Sequence, residues 1–181
     1  MSRRLLLSLA LACAGGVALG VGSATGLIVG MVFFLGAYAI YTAEFIRSDA
    51  AGRRRWPRWF VLTGYGAAVS AAMVWLWRGL SDRGVSVPMA GYAGLMALMA
   101  STATRWGWRV GLGAGLLVAS DTLIGVGLAE VAEVPGRPAL VMATYLLGLA
   151  LVVNGWSTRD QAPGGSLSAV ARIRRSPSSV R

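Results

Sequence analysis

Histidine and lysine are absent from this 181-residue chain, cysteine occurs once and only 7 residues are acidic. Without histidine there is no Ser-His-Asp or Cys-His relay, and with one cysteine there is no set of zinc ligands. The single cysteine, Cys13, excludes an intramolecular disulfide, and its expected place is that of a small residue packed in a helix. No Walker sequence is present, and "GLGAG" at 111–115 lacks the preceding strand that a phosphate loop needs. Any chemistry must come from carboxylates, hydroxyls and amides, with no metal and no cofactor expected.

What the chain has in quantity is apolar surface. Hydrophobic residues make up 56%, charged residues 13%, and the mean hydropathy is +0.63, the profile of an integral membrane protein. Crossing roughly 30 Å of hydrocarbon takes about 20 apolar residues in a helix. Six runs qualify: Leu5 to Val21, Gly26 to Ile46, Trp59 to Leu80, Val87 to Ala103, Trp108 to Leu128 and Pro138 to Trp156. The expected fold is therefore an all-α polytopic bundle over residues 1–157. Gly15, Gly16, Gly20 and Gly22 punctuate the first run, where small residues allow close helix packing.

All 17 basic residues are arginine, and the net charge is +10. They lie between apolar runs rather than on one soluble face, which argues against nucleic acid and for membrane topology. With both termini cytoplasmic, Arg3, Arg4, Arg47, the "RRRWPR" loop, Arg105, Arg109 and the tail arginines fall inside. Only Arg78, Arg83 and Arg137 fall outside, as the positive-inside rule expects. Trp56, Trp59, Trp75, Trp77, Trp106, Trp108 and Trp156 cluster near the run ends, where interfacial indoles belong.

The start, "MSRRLLLSLALACAGG", also has the charged beginning and apolar core of a signal peptide. Its run continues to Val21 without a leucine three residues before Cys13, so an uncleaved first helix is expected. Residues 158–181, rich in Ser, Gly, Pro and Arg, are expected to be a disordered tail. Arg172, Arg174 and Arg175 could lean it on anionic headgroups, at about 1 kcal/mol each near the surface.

Polar groups inside the runs are few. Asp121 in "GLLVASDTLIGVG" is the outstanding one, because a bare charge in hydrocarbon costs several kcal/mol or more unless neutralised, paired or put to work. Its bland alternative is a hydrogen bond to a neighbouring helix. By depth, Asp121, Tyr145 and Tyr92 could line one pocket open toward the outer leaflet. Tyr38, Tyr41 and Glu44 follow at helical spacing on the second run, and Glu44 is expected to pair with Arg47. Glu130 and Glu133 are expected to be solvated at the outer end.

The blocks "GLIVGMVFFLGAYAIYTAEF", "VPMAGYAGLMALMA", "GAGLLVASDTLIG" and "ALVMATYLLGLALV", in this order over roughly residues 26–156, resemble the YhhN-like lysoplasmalogenases. "SDTLIG" followed by "ATYLLG" at this distance is the specific part. The resemblance implies an enzyme of the bacterial plasma membrane that cleaves the vinyl-ether bond of lysoplasmalogen to a fatty aldehyde and a glycerophospho-headgroup. It implies Asp121, Tyr145 and Tyr41 as catalytic residues and Tyr92 and Ser120 as substrate-binding ones, with membrane lipid as the partner; Tyr38 is expected to bind substrate beside them.

The chain departs from that family pattern in three places. No acidic residue precedes Glu44, Tyr38 stands where the family has histidine, and Leu149 stands where it has Gln or His. The chain also looks shortened at the front by about two helices. Vinyl-ether hydrolysis needs one group to protonate carbon and another to steer water to the resulting cation. The departures leave Asp121 without a second family carboxylate. A non-catalytic lipid-binding or membrane-organising protein of the same fold is the alternative.

Overall fold

A computed structural model describes residues 3–21, 24–48 and 58–160. Among these described residues six helices follow one another: α1 (Arg3–Gly20), α2 (Ala24–Ser48), α3 (Arg58–Asp82), α4 (Ser86–Ala103), α5 (Trp108–Ala129) and α6 (Arg137–Asp160). There is no strand among the described residues. In hydrocarbon a helix satisfies its own backbone hydrogen bonds, so six apolar runs give six helices rather than a sheet. Arg53, Arg54, Arg55, Trp56 and residues 161–181 of the expected tail lie outside the described residues, as do the side chains of Trp59 and Trp156. Helix α6 continues to Asp160, beyond the expected end at Trp156.

Among the described residues, four helices carry stretches long and apolar enough to cross a membrane: Thr25–Arg47, Phe60–Asp82, Trp108–Ala129 and Arg137–Gly155. The other two are of a different kind. The apolar part of α1 is shorter, Leu6–Gly20. Helix α4 has Pro88 in its first turn and a Ser-Thr pair in its last, and it is the most enclosed by its neighbours, burying Met89, Tyr92, Met96 and Met99. A helix wrapped by other helices needs less apolar surface than one facing lipid. On the outside, Val17, Val32, Val74, Val87 and Leu146 are all more than half exposed, a surface suited to acyl chains and not to water.

Chain direction alternates, so the bundle has two ends. One carries the starts of α1, α3 and α5 and the ends of α2, α4 and α6; the other carries the starts of α2, α4 and α6 and the ends of α1, α3 and α5. We call them the basic end and the open end. At the basic end a 3₁₀ turn, Thr104–Trp106, leads to Gly107, whose φ of 122° lets the chain reverse into α5 where a side chain would be strained. Trp106 differs from its expected interfacial place: it is buried, packed at 5.3 Å on Phe45, and its indole N–H donates to the Phe45 carbonyl at 3.4 Å. Cys13 likewise is exposed on α1 rather than packed.

Helices α5 and α6 make the most extensive pairing, followed by α1 and α2. Both depend on glycine. A Cβ on Gly148 would lie 2.9 Å from the Gly113 carbonyl oxygen, and one on Gly30 would lie 3.0 Å from that of Gly15. Backbone meets backbone in each hairpin, the small-residue packing of membrane helices.

Candidate active site

Asp121 lies two-thirds of the way along α5, toward the open end, and is 7% exposed. Tyr38 of α2 and Tyr92 of α4 both donate their hydroxyls to its Oδ2, each at 2.7 Å. Their rings meet at 5.9 Å, and both are buried. Hydrogen bonds to a charged group contribute about 1.5–3 kcal/mol each, so this pair accounts for how the carboxyl is accommodated in the apolar interior. Oδ1 has no partner among the described residues.

Asp121 forms part of the wall of a cavity of about 700 Å³ between the α1–α2 and α5–α6 hairpins. Its deep part is bounded by Phe34, Ser120, Asp121 and Tyr145, its sides by Leu19, Leu27, Val141 and Met142, and its rim at the open end by Arg83 and Arg137. Tyr145 is held by donating its hydroxyl to the Ala12 carbonyl of α1 at 2.7 Å and by an edge contact with Phe34 at 5.7 Å. The Ser120 hydroxyl donates to the Val141 carbonyl at 3.1 Å, joining α5 to α6 beside the carboxyl.

The expected site residues thus separate. Asp121, Ser120 and Tyr145 share the cavity. Tyr38 and Tyr92, expected to meet substrate, are not among its lining residues and grip the carboxyl from behind. Tyr41, expected to be catalytic, is a turn nearer the basic end, stacked on Phe45 at 6.2 Å and away from the cavity wall. Its hydroxyl is buried beside Ser8 of α1, with no partner that meets hydrogen-bond geometry. A three-residue step turns a helical side chain by about 60° from its neighbour's direction, enough to move Tyr41 off the site that Tyr38 reaches. Among the described residues no three His, Cys, Asp or Glu side chains converge as a metal site.

The model of the YhhN family matches residues 1–156, taking in all of the first five helices and nearly all of α6. The chain belongs to the YhhN family. No curated protein and no solved structure shows similarity to it. The family match extends ahead of the blocks that begin at residue 26, so α1, which supplies the Ala12 carbonyl to Tyr145, falls within the YhhN region.

Three participants in this candidate site were not singled out from the sequence. Phe34 is one turn before Tyr38 on α2 and packs on both Tyr38, at 6.1 Å, and Tyr145. Four-residue spacing from Tyr38 carried the signal, but an isolated phenylalanine in an apolar run reads as packing. Arg83 and Arg137 had been assigned to topology alone. Their joint place on one rim depends on how α3 and α6 begin and end in space, which no local pattern records.

Proposed function

We propose that the protein is a lysoplasmalogenase-like hydrolase, cleaving the vinyl-ether bond of a lysoplasmalogen-type lipid in a bacterial plasma membrane. Both termini face the cytoplasm in this reading, and the cavity opens toward the outer leaflet. The observation that carries it is the asymmetric carboxyl: Oδ2 of Asp121 bound by two tyrosines, Oδ1 unpartnered, in the wall of an apolar cavity sized for a lipid chain.

In its protonated form Asp121 gives the Oδ1 proton to the outer vinyl carbon. The π electrons form the new C–H bond, and positive charge spreads over the inner carbon and the ether oxygen. Tyr38 and Tyr92 already donate to Oδ2 and stabilise the carboxylate left behind, a preorganised arrangement that needs no rearrangement during the step. Water adds to the inner carbon and returns a proton to Oδ1, so one carboxyl serves as acid and then as base. The hemiacetal passes its hydroxyl proton to the glycerol oxygen, and the bond between that oxygen and the inner carbon breaks. Aldehyde and alcohol leave, with one water consumed and no electron donor or acceptor required.

Tyr145 fits the water's partner. Its proton is committed to Ala12, so its oxygen offers lone pairs and accepts from a water in the cavity. A single carboxyl working twice makes the second family carboxylate unnecessary.

The test is aldehyde release from a lysoplasmalogen by purified protein in detergent, beside an Asp121→Asn variant with an unchanged melting temperature. Release by the parent alone supports the proposal. No release by well-folded parent across several headgroups overturns it and leaves a non-catalytic lipid-binding protein.

A further inference from the structure

Arg137 is the anomaly of the open end. Its guanidinium lies against Gly127 of α5, in space that a Cβ there would fill. It is half-buried, and among the described residues it forms no ion pair and no side-chain hydrogen bond. Glu130 and Glu133 share an adjoining surface cleft with it, yet neither pairs with it. Glu130 instead binds Arg83 at 2.7 Å, while Arg83 also donates to the Gly79 carbonyl at 3.3 Å. One rim arginine is therefore neutralised and the other is not. A half-buried guanidinium without an anion, at the mouth of an apolar cavity, is a site for an anion carried on an apolar chain.

Spacing adds a second constraint. Gly127 follows Asp121 by six residues on α5, so the guanidinium stands about 9 Å along the helix axis from the carboxyl. Between the inner vinyl carbon and the phosphorus of a glycerophospholipid lie six bonds, the length of two extended residues, about 7 Å. A reactive bond at Oδ1 thus brings a phosphate to Arg137.

We propose that Arg137, seated on Gly127 with Arg83 across the rim, binds the phosphate of a single-chain lipid and thereby sets which bond reaches Asp121. The placement of the reactive bond rests on the hydrolase reading; the preference for phosphate does not. Arg137 is a positioning and specificity residue, since it touches the headgroup and not the reacting atoms.

The experiment measures binding apart from turnover. Purified parent protein in detergent is titrated with a saturated 1-O-alkylglycerophosphoethanolamine, which has no vinyl ether, and with the chain-matched 1-O-alkylglycerol. Inorganic phosphate is added as a competitor. The expected result is about tenfold tighter binding of the phospholipid, lost in Arg137→Gln and reduced in Gly127→Ala, which keeps every charge but displaces the guanidinium. Millimolar phosphate should weaken phospholipid binding only slightly, because the free ion lacks the chain. Equal binding of both lipids by the parent, an unchanged preference in a folded Arg137→Gln protein, or full displacement by phosphate each overturns the proposal. Aldehyde release is scored separately. Preference without release sinks only the hydrolase reading, and release with no effect of Arg137→Gln on preference or KM sinks only the arginine.

Discussion

The two ends of the bundle handle charge in opposite ways. At the basic end Glu44 holds Arg4 at 2.6 Å and Arg47 at 3.5 Å, while Trp106, Phe45 and Tyr41 close the interior behind them. At the open end the helices part around a cavity, and Arg137 has no counter-ion among the described residues. Both ends contain buried tyrosines. Where two of them meet a carboxyl beside open space they can serve chemistry, and where one stacks on phenylalanine it serves packing. Residue type alone does not separate those roles; the neighbouring volume does.

The largest effect that would break this contrast is at Asp121. Asp121→Asn is expected to lower the rate of aldehyde release at least about a hundredfold, the scale of losing a general acid, with little change in thermal stability. Next is Gly148→Ala, whose added methyl would press on the Gly113 carbonyl and Leu117. It should destabilise the protein by about 1–3 kcal/mol in a reversible unfolding titration and spread the α5–α6 hairpin that forms one side of the cavity.

Tyr38→Phe removes one donor from Oδ2 and is expected to slow turnover about tenfold, whereas Tyr41→Phe should leave it within about twofold. Equal losses from the two tyrosines would erase the distinction between the ends. The smallest effect belongs to Glu44→Gln. Arg4 is 57% exposed in that pair, so its loss should cost less than about 1 kcal/mol in the same unfolding titration and leave aldehyde release unchanged.

Much of this architecture was legible in order and little of it in rotation. Run lengths and hydropathy located the six helices of the described residues, because a helix that must satisfy its own backbone in lipid leaves a long apolar signature. All six were read as membrane spans although α1 and α4 come from the two shortest runs, since burial by protein and burial by lipid look alike in composition. Asp121 stood out because a charge in such a run has a cost that must be met. Its partners were harder: Tyr92 had the right depth and Tyr38 stood only in a helical row with Tyr41 and Glu44, and which hydroxyl faces which oxygen depends on helix rotation. Tyr41 entered the expected site through the family resemblance, and helix rotation is what turns it away from the carboxyl. Glu44 was expected to pair with Arg47, its neighbour on the helix, yet Arg4 is closer to it, because the α1–α2 packing brings together residues 40 apart.

The division of labour at Asp121 also breaks a symmetry. In water the two oxygens of a carboxylate are interchangeable, and an amide that replaces it can flip freely between two orientations. Here the two tyrosine donors at Oδ2 demand an acceptor, so the amide of the Asp121→Asn variant would have to turn its carbonyl toward them and its NH₂ into the cavity. That NH₂ would still present a hydrogen-bond donor where Oδ1 was, in one fixed sense, but a donor that does not release its proton. A single handedness of hydrogen bonding is thus written into the protein by two hydroxyls, and it makes one substitution separate holding a ligand from transforming it.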